Sequence, residues 1–302
     1  MAFRSATVLP TAIVVLTGIL WGLYWIPVRA LDEIGLAGAW GTFAITLAGT
    51  VLLAPIAFLR RCEILGTNPF ALVSIALGGA AFALYSIGFV YGHVAIIILL
   101  YFLTPVWSTL IGRYLMGRAV TPLRMVSIAV GLGGLFIMLG ADGKLPLPQG
   151  AGEWMALIAG ILWAIGTTGM NAKSDLAPAP SAFVFAVGAA LTALMIAPFL
   201  QSGPVDLGRS GIVSVVGIAL ATGILWWGLS VAALMWATLR LEPARVGILL
   251  MTEVVVGAAS AALLAAEQLS GTQLIGGALV LAAGVLEVWP ARGASVHPST
   301  RG

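Results

Sequence analysis

Charge, cysteine and histidine are all scarce in this 302-residue chain. Only 8% of the residues are charged, against about 25% in an ordinary soluble domain, which excludes a water-covered globular protein, a disordered chain and a nucleic-acid-binding surface. A single cysteine, Cys62, excludes an internal disulfide and a cysteine-based metal site. Because there are two histidines and no His-Glu-x-x-His or Gly-x-Ser-x-Gly pattern, we expect no metal, no cofactor and no enzymatic activity.

Long apolar runs are what the sequence has instead: 61% of the residues are hydrophobic and the mean hydropathy is +1.10. Segments free of Asp, Glu, Lys and Arg lie at 5–28, 34–59, 64–112, 125–141, 154–172, 176–205, 210–239 and 268–286. A spanning helix needs about 20 such residues, so 64–112 supplies two helices and divides at Tyr91-Gly92-His93. Only Glu253 interrupts a further apolar run at 246–266. The sequence therefore predicts an all-α polytopic membrane protein with ten transmembrane helices.

Basic residues are distributed unevenly between the predicted loops. With the N-terminus inside, eleven Lys and Arg residues fall on the inner side, whereas only Arg29, Lys144 and Arg209 fall outside. Lys and Arg accumulate on the cytoplasmic side of membrane proteins. We therefore expect both termini to be cytoplasmic.

An internal repeat divides the ten helices into five and five. Gly18-Ile19-Leu20-Trp21 in helix 1 recurs as Gly160-Ile161-Leu162-Trp163 in helix 6, and 99–105 in helix 4 aligns with 247–253 in helix 9. Because five is odd, the two halves, residues 1–145 and 150–302, are expected to be inverted repeats around a central cavity. This plan is typical of secondary transporters; a duplication without transport is the alternative.

Taken together, these features resemble those of a known family. The two five-helix repeats, the Trp-bearing first helix of each repeat and Leu103-Thr104-Pro105 in helix 4 resemble the drug/metabolite transporter superfamily, EamA branch. The aromatic residues of the interior look most similar to the aromatic amino acid exporters of that branch: Tyr85, Tyr101, Trp107 and Trp163. The resemblance implies an exporter in a bacterial-type inner (plasma) membrane, with a central cavity and alternating access.

Glu253 is a departure from that pattern, since it stands where the second repeat would match Pro105. A charge at the centre of a spanning helix costs about 2.5–3.5 kcal/mol, so we expect Glu253 to face the bundle, where desolvation favours its neutral form. It is either a proton or cation coupling site, an anchor for a substrate ammonium group, or a structural carboxyl bonded to a neighbouring helix. A stripe continues from Glu253 through Gly257 to Ser260.

Several aromatic and hydroxyl side chains are candidates for substrate binding: Trp21, Tyr85, Tyr101, Thr104, Trp107, Trp163 and Thr167. Aromatic faces accept flat rings by stacking and ammonium groups by cation–π attraction. Core packing and interhelical hydrogen bonds are the alternative for these residues. Pro105 is the candidate hinge of helix 4, with a static kink as the alternative.

The predicted function is a secondary transporter that exports small aromatic or hydrophobic amino acids. No Lys or Arg lies at midspan, which argues against phosphorylated substrates, and the absence of an ATPase domain leaves a gradient as the driving force. The alternatives are a proton-coupled multidrug exporter of lipophilic cations and a channel or structural membrane protein. The expected partners are a small-molecule substrate and the lipid bilayer, without nucleic acid. Proton coupling is left open, and a monomer is sufficient because one chain holds both halves.

Overall fold

The computed structural model describes residues 8–114, 117, 121–143, 147–173, 176–201, 207–238, 240–241 and 243–288. Every regular element in these ranges is helical. Nine of the described helices are long and apolar enough to cross a membrane, and a tenth apolar helix, Gly271–Leu286, is shorter. The predicted all-helical polytopic architecture is confirmed.

We number the spans α1 to α10 in chain order. They are α1 Val8–Ile34, α2 Ala39–Leu59, α3 Pro69–Tyr91, α4 Val94–Tyr114, α5 Pro122–Leu139, α6 Ala151–Lys173, α7 Pro178–Leu200, α8 Gly208–Leu234, α9 Arg245–Leu264 and α10 Gly271–Val288. A short helix, Arg61–Gly66, joins α2 to α3. The boundary between α3 and α4 falls at Gly92-His93, as the sequence predicts.

Four spans depart from a continuous α-helix, and in one of them, α4, the sequence predicts a hinge or kink at Pro105. The segments are Val8–Gly22 and Trp25–Ile34 in α1, Val94–Tyr101 and Thr104–Tyr114 in α4, a π-helix Gly223–Ser230 in α8, and Pro243–Leu250 and Thr252–Leu264 around the break in α9. In α4 the cause is Pro105, which has no N–H for the carbonyl four residues earlier. The backbone carbonyls that are released at the breaks in α4 and α9 need polar partners nearby, because the surrounding lipid offers none.

Helices of the first half pack on helices of the second. Span α3 packs against α6 and α7, while α2 packs on α7, α5 on α10 and α1 on α9. Small residues at these contacts let the helix backbones approach closely. A Cβ on Gly134 of α5 would lie 2.7 Å from the Gly276 carbonyl of α10, and a Cβ on Gly79 of α3 would overlap the Phe185 carbonyl of α7.

Candidate substrate site

Glu253 and Tyr85 meet in the interior. Tyr85 Oη on α3 donates a hydrogen bond to Glu253 Oε1 on α9 at 3.2 Å. Tyr85 is fully buried, whereas Glu253 is half-buried. Glu253 lies in the first turn of the segment Thr252–Leu264, where the partial positive charge of a helix N-terminus favours a carboxylate. The break in α9 therefore gives this carboxyl group a favourable position inside the membrane.

A continuous set of aromatic rings surrounds this pair, and we call it the aromatic cluster. Its members are Trp21 and Tyr24 on α1, Phe82 and Tyr85 on α3, Tyr101 on α4, Trp163 on α6, Phe185 on α7, and Trp226 and Trp227 on α8. Tyr85 and Tyr101 stack with their centroids 4.3 Å apart at 25°. Trp163 follows at 6.2 Å from Tyr101. Four of the predicted rings, those of Trp21, Tyr85, Tyr101 and Trp163, thus belong to one cluster.

The breaks in α4 and α9 carry the same hydrogen bonds at positions 148 apart in the sequence. In α4, Leu103 N donates to Leu100 O; in α9, Met251 N donates to Ile248 O. The next bonds also match, Val106 N to Leu103 O and Val254 N to Met251 O, at 2.9 and 3.1 Å. This is the register in which the sequence aligns 99–105 with 247–253.

Threonine hydroxyls take over the carbonyls that these breaks release. Thr104 Oγ1 donates to Tyr101 O at 2.6 Å, where Pro105 has no N–H to offer. Thr252 Oγ1 donates in the same way to Leu249 O in α9. Buried carbonyls without a partner are costly in lipid, so each threonine stabilises its break. Pro105 lies in the first turn of the segment Thr104–Tyr114, a position where its missing N–H costs little.

Two other predicted site residues, Thr167 and Trp107, make no side-chain hydrogen bond to the rings of the aromatic cluster or to Glu253 among the described residues. Thr167 Oγ1 donates to Trp163 O, one turn back on α6, at 2.7 Å. Trp107 packs near Gly160 of α6, and its buried Nε1 has no hydrogen-bond partner among the described residues. Buried N–H groups without a partner are uncommon in folded proteins.

Two glycines of α1 let this helix approach α9 closely beside Thr252 and Glu253. A Cβ on Gly18 would lie 2.7 Å from Thr252 Oγ1, and a Cβ on Gly22 would lie 2.7 Å from Glu253 O. The equivalent contact joins α4 to α6: Thr104 Oγ1 lies 3.5 Å from the carbonyl oxygen of Gly160, the residue that the sequence alignment matches to Gly18. Both breaks are therefore covered by the glycine that precedes Ile-Leu-Trp.

Five members of the cluster were not among the predicted site residues: Tyr24, Phe82, Phe185, Trp226 and Trp227. Phe82 precedes Tyr85 by three residues, so its helical spacing was a usable signal. Trp226 and Trp227 are consecutive and both buried, and they lie in the π-helical segment of α8.

The fold and this site define a polytopic membrane protein with one carboxyl group set among aromatic rings in its interior. Residues 10–140 match the model of the EamA-like transporter family. This match covers less than half of the chain and shows that its first half is similar to a family of membrane transporters. A crystal structure is similar in fold, with a TM-score of 0.55 and 19% identity over 94% of this chain and 96% of that chain. No curated protein matches the chain.

Proposed function

We propose that the protein is a secondary transporter that exports small aromatic or hydrophobic amino acids across the inner membrane by alternating access. The observation that carries the proposal is the Glu253 carboxyl group beside the stacked Tyr85 and Tyr101 rings. An amino acid of this class presents an ammonium group and a flat or apolar side chain. The carboxylate binds the first, and the rings bind the second.

In this proposal the substrate lies between α3, α4, α6 and α9. Its ammonium group contacts Glu253 and the faces of Tyr101 and Trp163, since aromatic faces attract cations. Its side-chain ring stacks on the same aromatic cluster. The unpartnered Nε1 of Trp107 is a donor for the substrate carboxylate.

Alternating access requires two halves that move relative to one another. We assign these halves to two inverted repeats, residues 1–145 and 150–302. Support comes from the matched hydrogen bonds around Leu103 and Met251. It also comes from two equivalent contacts, Gly18 with Thr252 and Gly160 with Thr104. Pro105 and Met251 mark the bending points of α4 and α9.

A proton-coupled exporter of lipophilic cations is the second candidate, and one observation favours it. The Glu253 carboxyl group lies beside the stacked Tyr85 and Tyr101 rings. A site with a carboxylate and aromatic rings alone also fits an organic cation. In that case Glu253 exchanges the cation for a proton.

Uptake of labelled Trp into proteoliposomes of the purified protein, with and without an imposed pH gradient, tests the proposal. Saturable uptake that unlabelled Phe inhibits supports the amino acid transporter. Uptake that appears only with a proton gradient shows proton coupling and makes Glu253 the first candidate for the coupling site. No uptake of Trp, with saturable uptake of a lipophilic cation, supports the second candidate instead.

Variants of the site connect the activity to these residues. We expect Ala at Tyr85, Tyr101 and Trp163 together to abolish saturable uptake, and Glu253→Gln to abolish uptake or its dependence on pH. Glu33→Gln, at an exposed carboxylate near the end of α1, is the matched control and should transport normally. Normal kinetics and normal pH dependence in the site variants would overturn the assignment.

A further inference from the structure

Arg29, on α1, joins three parts of the chain through its side-chain hydrogen bonds. Its Nε donates to Phe89 O and its Nη2 donates to Gly92 O, both at 2.9 Å, at the end of α3. Nη2 also bonds Glu267 Oε1 at 2.7 Å in the connection between α9 and α10. Arg29 therefore ties α1 and α3 of the first half to α9 and α10 of the second.

Two further layers lie between this group and the aromatic cluster. Arg29 stands 5.2 Å above the ring of Trp25, whose Nε1 donates to Ser260 Oγ on α9 at 3.0 Å. Below Ser260, Gly257 packs against Ile98 of α4 so closely that a Cβ would overlap it. Trp25, Ser260 and Ile98 are all buried.

Burial changes sharply along α4 at the level of the cluster. Every residue from 94 to 100 is buried, whereas Tyr101, Thr104 and Ser108 are each partly exposed. Glu253 and Trp163 also keep partial exposure. Side chains of α4 are thus more completely buried toward the end where α1 finishes than toward the end where α1 begins.

A cavity of about 460 Å³ lies on the outer side of the Arg29 group. Its lining includes Arg29, Glu267, His93 and Glu153 of α6. His93 Nδ1 is 3.9 Å from Glu267 Oε2, the oxygen that Arg29 leaves unbonded. The Glu267 side chain is only 8% exposed, so loss of its partner leaves a buried charge uncompensated.

We propose that Arg29 and Glu267 form a latch that closes the transport path at this end, with the 460 Å³ cavity as the vestibule outside it. The latch rests on the proposed alternating access. It holds the two halves together while the aromatic cluster is open to the other side, and its rupture separates α1 from the α9–α10 connection. Weakening the latch shifts the population toward the state that is open to the vestibule.

Cysteine accessibility tests the latch without any substrate. The one native cysteine, Cys62, is exposed and is replaced by Ser. Two single-cysteine reporters are then made in the full-length protein: Ser260→Cys beneath the latch and Ser108→Cys on the partly exposed segment of α4. The readout is the rate of labelling by a membrane-impermeant thiol reagent in detergent.

We expect Arg29→Gln to raise the labelling rate of the 260 reporter about tenfold, since bonds to charged groups are among the stronger hydrogen bonds. The rate at the 108 reporter should fall at the same time, because one population gains what the other loses. Glu267→Gln should act in the same direction but less, because the two carbonyl bonds of Arg29 remain. Glu33→Gln should change neither rate.

Opposite changes at the two reporters support the latch. A parallel rise at both reporters would mean that the variant only loosens the fold, and unchanged rates would mean that the latch holds nothing; either result overturns the proposal. If Arg29→Gln fails to fold, the same readings are made on Glu267→Gln, which keeps the shape of the side chain. Since no substrate is used, an error in the proposed substrate class leaves this test intact.

Discussion

Tyr85 on α3 donates its hydroxyl to the Glu253 carboxyl group on α9, 168 positions later in the chain. The contact joins the two halves at the centre of the aromatic cluster. A tyrosine hydroxyl is the only side-chain hydrogen-bond partner of Glu253 within the part of the chain that the structure describes. Removal of the Tyr85 hydroxyl therefore tests directly what its hydrogen bond contributes to the Glu253 carboxyl group.

Tyr85→Phe should lower transport about tenfold, because an acceptor left unpaired in a buried site costs about 1–3 kcal/mol. The ring and its stacking on Tyr101 remain in place, so the fold should persist. Initial rates of uptake in proteoliposomes measure the effect. Tyr114→Phe, at a tyrosine that is 80% exposed, is the control, and equal rates in both variants would contradict the role of the hydroxyl.

Tyr101→Leu should weaken substrate binding more than Tyr101→Phe. The Tyr101 ring stacks on Tyr85 at 4.3 Å, and an aromatic pair of this kind contributes about 0.5–1.5 kcal/mol beyond its buried area. Phe keeps the ring, whereas Leu removes it. The substrate concentration at half-maximal uptake is the measurement; Phe136→Leu, at an exposed ring on α5, should leave it unchanged. A Leu variant that matches the Phe variant would remove Tyr101 from the binding surface.

Pro105→Ala should slow turnover while leaving substrate binding intact. Alanine restores an N–H that can bond Tyr101 O, which Thr104 Oγ1 now occupies, so the two segments of α4 merge into a stiffer helix. Comparison of maximal uptake rate with equilibrium binding separates the two effects. Pro69→Ala is the control. Pro69 lies in the first turn of α3, where a backbone N–H would have no helical carbonyl to bond. Unchanged turnover in Pro105→Ala would favour a static kink.

Gly79→Ala should lower the melting temperature of the purified protein. A Cβ there would overlap the Phe185 carbonyl of α7, and overpacking of this kind costs about 1–3 kcal/mol. Gly133→Ala on α5 meets nothing within 4 Å and should be neutral or stabilising, since alanine favours the helix. Thermal unfolding in detergent compares the two. A similar loss in both variants would show that α3 and α7 can separate without cost.

The candidate site was predictable only in part. Tyr85, Tyr101 and Trp163 were recognisable because aromatic residues deep inside a span are unlike those at membrane interfaces. Phe185 carries no polar group and so has no signal that separates it from lipid-facing phenylalanines. The meeting of Tyr85 with Glu253 was not predictable, because it depends on how α3 packs relative to α9.

The helix breaks show the same division. Pro105 predicts a break in α4. The equivalent break at Met251 has no proline and is recognised only from its hydrogen bonds. The internal alignment of 99–105 with 247–253 connects the two positions. Structure alone shows that Thr104 and Thr252 take over the released carbonyls.

The sequence by itself determined the membrane-spanning helical architecture, because apolar length and scarcity of charge are local properties that each span carries alone. It also determined that Glu253 must face inward, since lipid penalises a charge. Tertiary structure alone decided which rings surround that carboxyl group and that Arg29 reaches Glu267. Those contacts depend on close approach between distant helices, where glycines such as Gly22 set the separation of the backbones.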